Sequence, residues 1–232
     1  MNDSYGNKDT KVCGGEVLDH LQPAVALELR SIAHEVSYPQ GVVLFSEMDA
    51  AENIYVVLGG NIKLSINSRD GRRLILHIAG KGEIVGLASA LSGAPFEMTA
   101  ETLYPAKLGV IARREFLGVL LRHPEAYQTL IGELGRQFTK ACEQLRTVGL
   151  SSSAPQKLAR LLLDWSEGGQ ASEAGARVHF ALTHQEVGEF IGATRETVTR
   201  TLSEFKSRHL IAFHGSTLTI PSKIALESYA HC

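Results

Sequence analysis

A tight turn between two short helical patterns limits the folds open to this chain more than any other feature. Residues 183–208 read THQEVGEFIGATRETVTRTLSEFKSR. Thr183 and Glu186 have the spacing of a capping box, which predicts that a helix begins at the next residue, and Gly192 is placed to end it. Thr194 then caps a second helix after a turn of only a few residues. Two helices joined in this way form a helix-turn-helix.

The second helix, predicted over 195–208, has two chemically different faces on a helical wheel. Its apolar face consists of Val198, Leu202 and Phe205. Arg195, Glu196 and Arg200 lie on or beside the opposite face. An arginine can bond guanine in a bidentate manner, and a glutamate can accept a bond from cytosine N4. These three residues are therefore the predicted base-reading residues of a DNA-binding helix.

A simpler explanation exists for two of these charges. Glu196 and Arg200 have the i,i+4 spacing of a surface ion pair, which stabilises a helix by only about 0.2–0.5 kcal/mol. That explanation accounts neither for Arg195 nor for the row of small hydroxyl residues on the same side. Residues 194–208 also hold four basic and two acidic side chains, a net +2, in a chain whose formal net charge is -2. The local charge favours DNA binding.

Residues 210–220, LIAFHGSTLTI, predict two short strands around the His214-Gly215 pair. A hairpin directly after a recognition helix is a wing. The C-terminal part of the chain is therefore predicted to be a winged helix-turn-helix.

A different pattern fills the N-terminal half, where short β-branched runs alternate with glycine turns. The predicted strands are Ile54 to Leu58, Ile62 to Ile66, Leu74 to Ile78 and Lys107 to Ile111. The Asp70-Gly71 pair between two of them predicts a hairpin with a type I′ turn. Short strands at this spacing indicate an antiparallel sandwich or barrel.

A long helical pattern over 124–150 follows the strands. Its apolar positions advance by alternating steps of four and three: Tyr127, Ile131, Leu134, Phe138, Ala141, Leu145 and Val148. This spacing is typical of a coiled-coil seam, and it favours a dimer because the stripe is narrow. The alternative is a long helix that lies along its own β-domain.

Composition places the chain among ordinary globular proteins, with 44% hydrophobic and 21% charged residues among 232. Cys13, Cys142 and Cys232 are far apart and form no CxxC pair, which argues against a structural zinc or iron-sulfur site. No run approaches a membrane span, and the polar N-terminus has no apolar signal core, so a cytoplasmic location is expected.

These patterns predict an α+β chain in three parts, with a hinge at the Gly, Ser and Pro residues of 149–155. An antiparallel β-roll sensor domain covers 16–123, a dimerisation helix covers 124–150, and a winged helix-turn-helix domain covers 151–232. No catalytic constellation or metal motif stands out.

The order of these parts, together with LTHQEVGEFIGATRETVTRTLSEF, resembles the cyclic-AMP receptor / fumarate-nitrate-reduction regulator (Crp/Fnr) family of bacterial transcription factors. The resemblance implies a cyclic-nucleotide-binding-like jelly roll, a homodimer, and double-stranded DNA and RNA polymerase as partners. It implies base contacts from the three charged residues named above. The implied contacts with the DNA backbone or groove are Gln185, Thr194, Thr197, Thr199, Ser203 and His214. Ser216 replaces a wing lysine of the family.

The match weakens at the effector end. Cyclic-nucleotide binders of the family present a Gly-Glu pair and an Arg-Ser pair, but this chain has Gly86-Leu87 and then Glu97, Met98 and Thr99. No lysine or arginine lies between Gly82 and Glu101, so cyclic AMP is not expected to bind in the family's usual manner. A pocket for another small ligand would comprise Gly86, Leu87, Ala88, Met98 and Thr99.

Two further possibilities stay open at this point. A haem-dependent or redox sensor would need an axial ligand, for which the candidates by residue type are His34, His77 and Cys142. A cupin-like enzyme would need clustered histidines, but the strands contain no His-x-His. The sequence does not indicate the effector, or whether the protein activates or represses.

Overall fold

The computed structural model describes residues 17–150, 153–167, 170–172, 175–180, 182–215 and 217–230. These residues divide into two compact units, 17–149 and 150–230. The long helix therefore groups with the β-roll, and the residues after it form the second unit. The middle of the predicted hinge, at 151 and 152, lies outside the described residues. Within these ranges no helix combines the length and the apolar character needed to cross a bilayer.

Short antiparallel strands form the β-roll of the first unit. They are β1 (His34–Tyr38), β2 (Val43–Phe45), β3 (Asn53–Gly59), β4 (Ile62–Asn67), β5 (Arg73–Ala79), β6 (Ile84–Val85), β7 (Thr99–Thr102) and β8 (Ala106–Ala112). They pair as two sheets, in the orders β1-β8-β3-β6 and β2-β7-β4-β5. The antiparallel roll predicted from the β-branched runs is confirmed.

Helices cover one side of this roll and produce a second core. They are α1 (Val17–His20), α2 (Pro23–Ile32), α3 (Leu87–Ser92), α4 (Arg113–Arg122) and α5 (Ala126–Leu150). Alternate residues of β3 serve the two cores, as the pleat of a strand requires. Tyr55 and Val57 pack between the sheets, whereas Ile54 and Val56 pack against the helices. We call these the inter-sheet core and the helix-side core.

The predicted β4–β5 hairpin forms, but its turn is not type I′. Gly71 has φ +81°, whereas Asp70 is not among the non-glycine residues with positive φ. The backbone N–H of Gly71 donates to Ser68 O at 3.0 Å, and the N–H of Ser68 donates to Arg72 O at 2.8 Å. The prediction of two left-handed residues was wrong because the loop is longer than two residues and needs only one of them.

The second unit is the winged helix-turn-helix. Its elements are α6 (Ala154–Glu167), β9 (Gln170–Ser172), β10 (Gly175–His179), α7 (His184–Ile191), α8 (Arg195–Ser207), β11 (Ala212–His214), β12 (Thr217–Ile220) and α9 (Lys223–Ala230). The strands form one sheet in the order β11-β12-β10-β9. Trp165 of α6 packs edge-on against Phe190 of α7, and Phe205 of α8 against Tyr229 of α9. These ring contacts join the helices around one core.

Candidate functional site

The turn between α7 and α8 has the geometry that the sequence predicts. The backbone N–H of Glu186 donates to Thr183 Oγ1 at 3.2 Å, and the backbone N–H of Thr183 donates back to Glu186 Oε2 at 2.9 Å. Gly192 ends α7 with φ +65°. The capping box and the left-handed C-cap together fix where the first helix begins and ends.

Gly188 is a second glycine that the turn requires, although the sequence pattern gave it no special place. Its backbone O accepts from the N–H of Ala193 at 2.9 Å. A Cβ built on Gly188 would lie only 2.6 Å from Ala193 O. The two helices can approach this closely only because position 188 has no side chain.

The inner face of α8 is the predicted apolar one. Val198, Leu202 and Phe205 are buried, and Thr201 joins them. The Thr201 hydroxyl donates to Thr197 O at 2.9 Å, so its polar atom is satisfied within the helix. This face holds α8 in the second unit and leaves the opposite face exposed.

Arg195, Glu196 and Arg200 all lie on the exposed face of α8. No ion pair joins Glu196 to Arg200 in the part of the chain that the structure describes. The pKa of the Glu196 carboxyl is instead lowered by a bond from its own backbone N–H, then by a bond from the Thr194 hydroxyl and by the charge of Arg195. The glutamate stays ionised at the start of the helix, where an anion is favoured by the helix dipole.

The hydroxyl residues of this face fold back onto the helix. Thr194 caps α8 by accepting from the backbone N–H of Thr197 at 3.3 Å. Thr199 Oγ1 donates to Arg195 O, and Ser203 Oγ donates to Thr199 O, both at 2.9 Å. These side chains therefore add little bulk and allow another surface to approach the helix backbone closely.

His184 contacts this face but was not predicted to belong to it. Its Nδ1 lies 2.8 Å from Thr199 Oγ1. The Thr199 hydroxyl gives its only proton to Arg195 O, so it accepts from His184, which places a proton on Nδ1. The only signal in the sequence is the position of His184 at the start of α7, beside the exposed face of α8.

The remaining predicted backbone contacts lie on other elements. Gln185 is exposed on α7 and donates from Nε2 to Glu189 Oε1 at 3.1 Å. His214 is exposed at the end of β11, next to Gly215 with φ +60°. Ser216, where the family has a lysine, lies outside the described residues.

Two family models match the chain across both units. The model of the Crp-like helix-turn-helix domain matches residues 156–229. The model of the cyclic nucleotide-binding domain matches residues 35–123. The chain belongs to the Crp/Fnr family of transcription regulators.

Relatives of this Crp/Fnr chain match over most of their length. It is 25% identical over 205 residues to the CRP-like cAMP-activated global transcriptional regulator of Mycobacterium tuberculosis, covering 88% of this chain and 91% of that one. It is 25% identical over 192 residues to the global nitrogen regulator of Synechococcus elongatus, covering 82% and 86%. The structure of FixK2 from Bradyrhizobium japonicum has the same fold, with a TM-score of 0.75 at 21% identity, covering 85% and 97%.

The family membership decides between the classes of function weighed from the sequence. The relatives are transcription regulators, and so is this chain; it is not an enzyme. The cupin-like alternative is therefore wrong. Among the described residues, no group of three or more His, Cys, Asp or Glu side chains is placed to hold a metal ion.

In this Crp/Fnr chain, α5 carries two different stripes side by side. The predicted seam is only partly uncovered: Ile131, Phe138 and Leu145 are 63%, 72% and 56% exposed, whereas Tyr127 and Leu134 pack against the helix-side core. The other seam residues, Tyr127, Leu134, Ala141 and Val148, are half-buried. The side that lies on the roll is the neighbouring stripe, which includes the buried Leu130, Glu133 and Gln144. The helix thus lies along its own domain and still exposes the seam.

The predicted effector residues of the roll do not share one core. They are Gly86, Leu87, Ala88, Met98 and Thr99. Leu87 is buried in the helix-side core, whereas Met98 packs against the inter-sheet core. Thr99 Oγ1 accepts from the backbone N–H of Glu47 at 3.1 Å. Gly86, with φ +84°, and Ala88 lie at the start of α3.

An aromatic ring and a carboxylate occupy the space beside these residues. The ring of Phe96 stacks on that of Phe45, with centroids 3.6 Å apart. A Cβ on Gly86 would come within 2.8 Å of the Phe96 ring. Glu97 Oε2 accepts from Ser89 Oγ at 2.7 Å. Where the resemblance placed a phosphate-binding Arg-Ser pair, the chain has an acidic side chain that is already bonded.

The three residues considered as haem ligands lie on three elements. His34 is exposed on β1, Cys142 is half-buried on α5, and His77 Nε2 of β5 lies 2.6 Å from a Glu83 carboxylate oxygen. A separate open groove of about 420 Å³ contains none of them and none of the predicted effector residues. It is lined by Ala50, Ala51, Glu52, Gly93, Pro95, Arg113 and Arg114.

Proposed function

We propose that two copies of this chain form a homodimer that reads a palindromic DNA operator. The observation that carries this proposal is the division of α8 into a buried apolar face and an exposed face that presents Arg195, Glu196 and Arg200. Both guanidinium groups belong to exposed side chains, so binding DNA does not require the protein to break a buried contact first. The three side chains supply the donors and acceptor that major-groove edges of G·C pairs recognise.

Backbone contacts would fix the position of this helix on the duplex. Gln185, Thr194 and Thr197 lie around the N-termini of α7 and α8, where backbone N–H groups and the helix dipole favour a phosphate. His214 occupies the tip of the wing. Contacts of this kind orient a protein on DNA and carry no sequence information themselves.

The uncovered stripe of α5 supports a second copy as partner. Ile131, Phe138 and Leu145 recur at heptad spacing and stay exposed on the isolated chain. A parallel pair of such stripes interlocks about a two-fold axis. That axis would present α8 twice, to half-sites about 34 Å apart on one side of the duplex.

Substitution of Arg200 tests base reading. Arg200→Ala should cost about 1–3 kcal/mol of discrimination at one base pair. Arg200→Lys keeps the charge but lacks the planar fork of the guanidinium, so it should lose part of this discrimination while keeping the salt dependence of binding. Fluorescence anisotropy against operators substituted at each position measures both quantities. A uniform loss on every sequence would contradict base reading by Arg200.

A matched pair of surface substitutions tests the dimer. Phe138 and Leu121 are similarly exposed, at 72% and 77%, but only Phe138 belongs to the stripe. Phe138→Lys should dissociate the dimer at micromolar protein in sedimentation equilibrium, whereas Leu121→Lys on α4 should leave it intact. Equal effects of both substitutions, or a monomeric parent protein, would exclude this seam.

The names of some relatives state that cyclic AMP activates them. We infer that cyclic AMP does not bind this chain in the usual way. Glu97 and Phe96 occupy the region where a phosphate would need a cation, and an anion placed beside a carboxylate is repelled. Titration calorimetry with cyclic AMP should show no saturable heat, and the parent protein should bind its operator without it. A stoichiometric heat would overturn this inference.

RNA polymerase and a cytoplasmic location belong to the same proposal. A regulator bound at a promoter either touches polymerase or blocks it. Transcription in vitro from a template that carries the mapped operator would show which of the two occurs.

A further inference from the structure

The stripe of α5 that lies on the roll is polar for most of its length. Leu130 begins it, and Glu133, Gln137, Lys140 and Gln144 follow at steps of three and four. Each of these residues comes one position before a seam residue. A helix packed on its own domain ordinarily buries an apolar face, so these polar groups need partners. Glu133 is bonded to Arg136 and Gln137 of α5 itself, whereas the other three have partners on the roll.

Two of the partners are main-chain carbonyls. Gln137 Nε2 donates to Ile84 O at 3.2 Å, and Gln144 Nε2 donates to Ile75 O at 3.0 Å. The two carbonyls belong to β6 and β5. The helix is therefore bonded to the first residue of β6 and to an interior residue of β5, from two glutamines that lie two helical turns apart.

Glu83 is the third partner on the roll. It pairs with Lys140, which lies between Gln137 and Gln144 on α5. The Glu83 side chain is only 4% exposed. One oxygen, Oε2, lies 2.6 Å from His77 Nε2 on β5, and the other, Oε1, lies 3.1 Å from Lys140 Nζ on α5. We call these three residues the Glu83 clamp.

The ionisation of the Glu83 carboxyl depends on its burial and on its two neighbours. Burial by itself raises the pKa of the carboxyl, but the bonds and charges of His77 and Lys140 outweigh burial and leave the pKa below its ordinary value. A buried carboxylate that loses one partner keeps the cost of desolvation without the compensation. The Glu83 clamp is therefore favourable only when α5 lies where Lys140 reaches Glu83.

We propose that the Glu83 clamp positions the dimerisation helix, so that α5 exposes its apolar stripe and buries its polar one. His77, Glu83 and Lys140 act as positioning residues for dimer formation. Both the dimer and the consequence for operator affinity rest on the function proposed above. Side chains of the roll thus fix the position of α5, and a substitution that removes one of these charges releases the helix.

A double-mutant cycle in the full chain tests this. Lys140→Met removes the charge and keeps the length of the side chain, which is 31% exposed, and Glu83→Gln keeps the shape and one hydrogen bond. In hydrogen exchange, each single variant should speed exchange of the α5 amides of 137–148 by at least about tenfold, because bonds to a buried charge are lost. The β3 amides should not change.

Lys107→Met is the matched control, because Lys107 is paired with Glu35 on the same roll but both side chains are more than half exposed. This control should leave exchange in α5 unchanged. The double variant Glu83→Gln/Lys140→Met should be less damaged than the product of the two single effects, because no unpaired buried charge is left. Independent, multiplicative effects would show that the two residues do not act together.

The dimer dissociation constant is a second measurement, and a local loss of stability alone would not change it. At a temperature where all variants are folded by circular dichroism, Lys140→Met should weaken the dimer by about tenfold and Lys107→Met should not. An unchanged dimer in Lys140→Met overturns the proposal. Operator binding is measured separately: a parent protein that dimerises but does not bind DNA would refute the proposed function and leave the clamp intact.

Discussion

The proposed recognition helix α8 and the proposed dimerisation helix α5 distribute their polarity in opposite ways. In α8 the buried face is Val198, Leu202 and Phe205, and the charged residues are outside. In α5 the side on the roll includes the buried Glu133 and Gln144, whereas large apolar residues are outside. An apolar inner face holds a helix strongly but with little directional preference, whereas a polar one holds it only where each bond can form.

This difference suggests a division of work. A helix that is to read DNA, as we propose for α8, needs a rigid support that does not depend on conditions, and burial of apolar area provides it. A helix that is to join two copies, as we propose for α5, has to keep its apolar surface available, so its own support must come from somewhere else. Hydrogen bonds to Ile84 O and Ile75 O and the Glu83 clamp supply that support.

The largest expected effect comes from the apolar support of α8. Phe205 is fully buried, and Phe205→Ala should lower the free energy of unfolding of the second unit by about 3–5 kcal/mol. Trp165 is the single tryptophan of the chain and lies in that unit, so its fluorescence during urea denaturation reports the change. Phe138→Ala on the outside of α5 should leave the tryptophan transition where it is. Equal shifts of the tryptophan transition in the two variants would contradict the difference that we draw between the support of α8 and that of α5.

Glycine substitutions should have opposite signs in the two regions. Gly188→Ala places a Cβ 2.6 Å from Ala193 O and should destabilise the second unit by about 1–3 kcal/mol. Gly135 of α5 is exposed with no atom within 4 Å of its Cβ position, so Gly135→Ala should stabilise the helix by up to about 1 kcal/mol. Tryptophan fluorescence follows the first variant, and thermal unfolding by circular dichroism follows the second. A stabilising Gly188→Ala would show that the turn can widen.

Acid should release α5 before it affects α8. The pKa of Glu83 is lower in the folded chain than its ordinary value of 4.5, so its stabilising contribution is complete above that value and is lost as pH falls through the folded value. The titratable groups around it are His77 from β5 and Lys140 from α5, with Glu133 and Arg136 paired elsewhere on the helix. Hydrogen exchange of α5 should rise on acidification in the parent protein and rise less in Glu83→Gln. The same rise in both would contradict the assignment to Glu83.

The smallest expected effect concerns the exposed pair at the end of α8. Arg208 Nη2 lies 3.1 Å from Glu204 Oε1, and both side chains are well exposed. Glu204→Ala should change the free energy of unfolding by no more than about 0.5 kcal/mol, because solvent screens such a pair. Urea denaturation followed at Trp165 measures it. A loss comparable to that of Phe205→Ala would mean that charges outside α8 matter as much as its apolar face.

The winged unit was predictable from the sequence because its signals are local. A capping box, a C-cap glycine and a 3.6-residue period each depend on residues a few positions apart, and the structure confirms the helices from His184 and Arg195. Four of the eight strands that the structure describes in the roll, β3, β4, β5 and β8, were predictable for the same reason. Their hairpin turn was not, since the φ of Asp70 depends on the length of the whole loop.

The contacts of the roll with α5 were not predictable from local pattern. Glu83, His77 and Lys140 come from three elements, and only the pairing of strands brings them together. The spacing of Glu133, Gln137, Lys140 and Gln144 is visible in the sequence, but polar residues at such spacing usually indicate a solvated face. His184 was missed likewise, because its partner Thr199 is 15 positions away.

The one-position offset between the two stripes of α5 has a consequence for insertions and deletions. One residue turns an α-helix by about 100°, which is the angle that separates Gln137 from Phe138 or Lys140 from Ala141. A single codon gained or lost within α5, between Leu130 and Gln137, would turn the rest of the polar stripe by about 100° relative to Leu130 and point a different stripe at the roll. Homologous genes should therefore tolerate length changes freely in the loop at 68–72 and not in this part of α5.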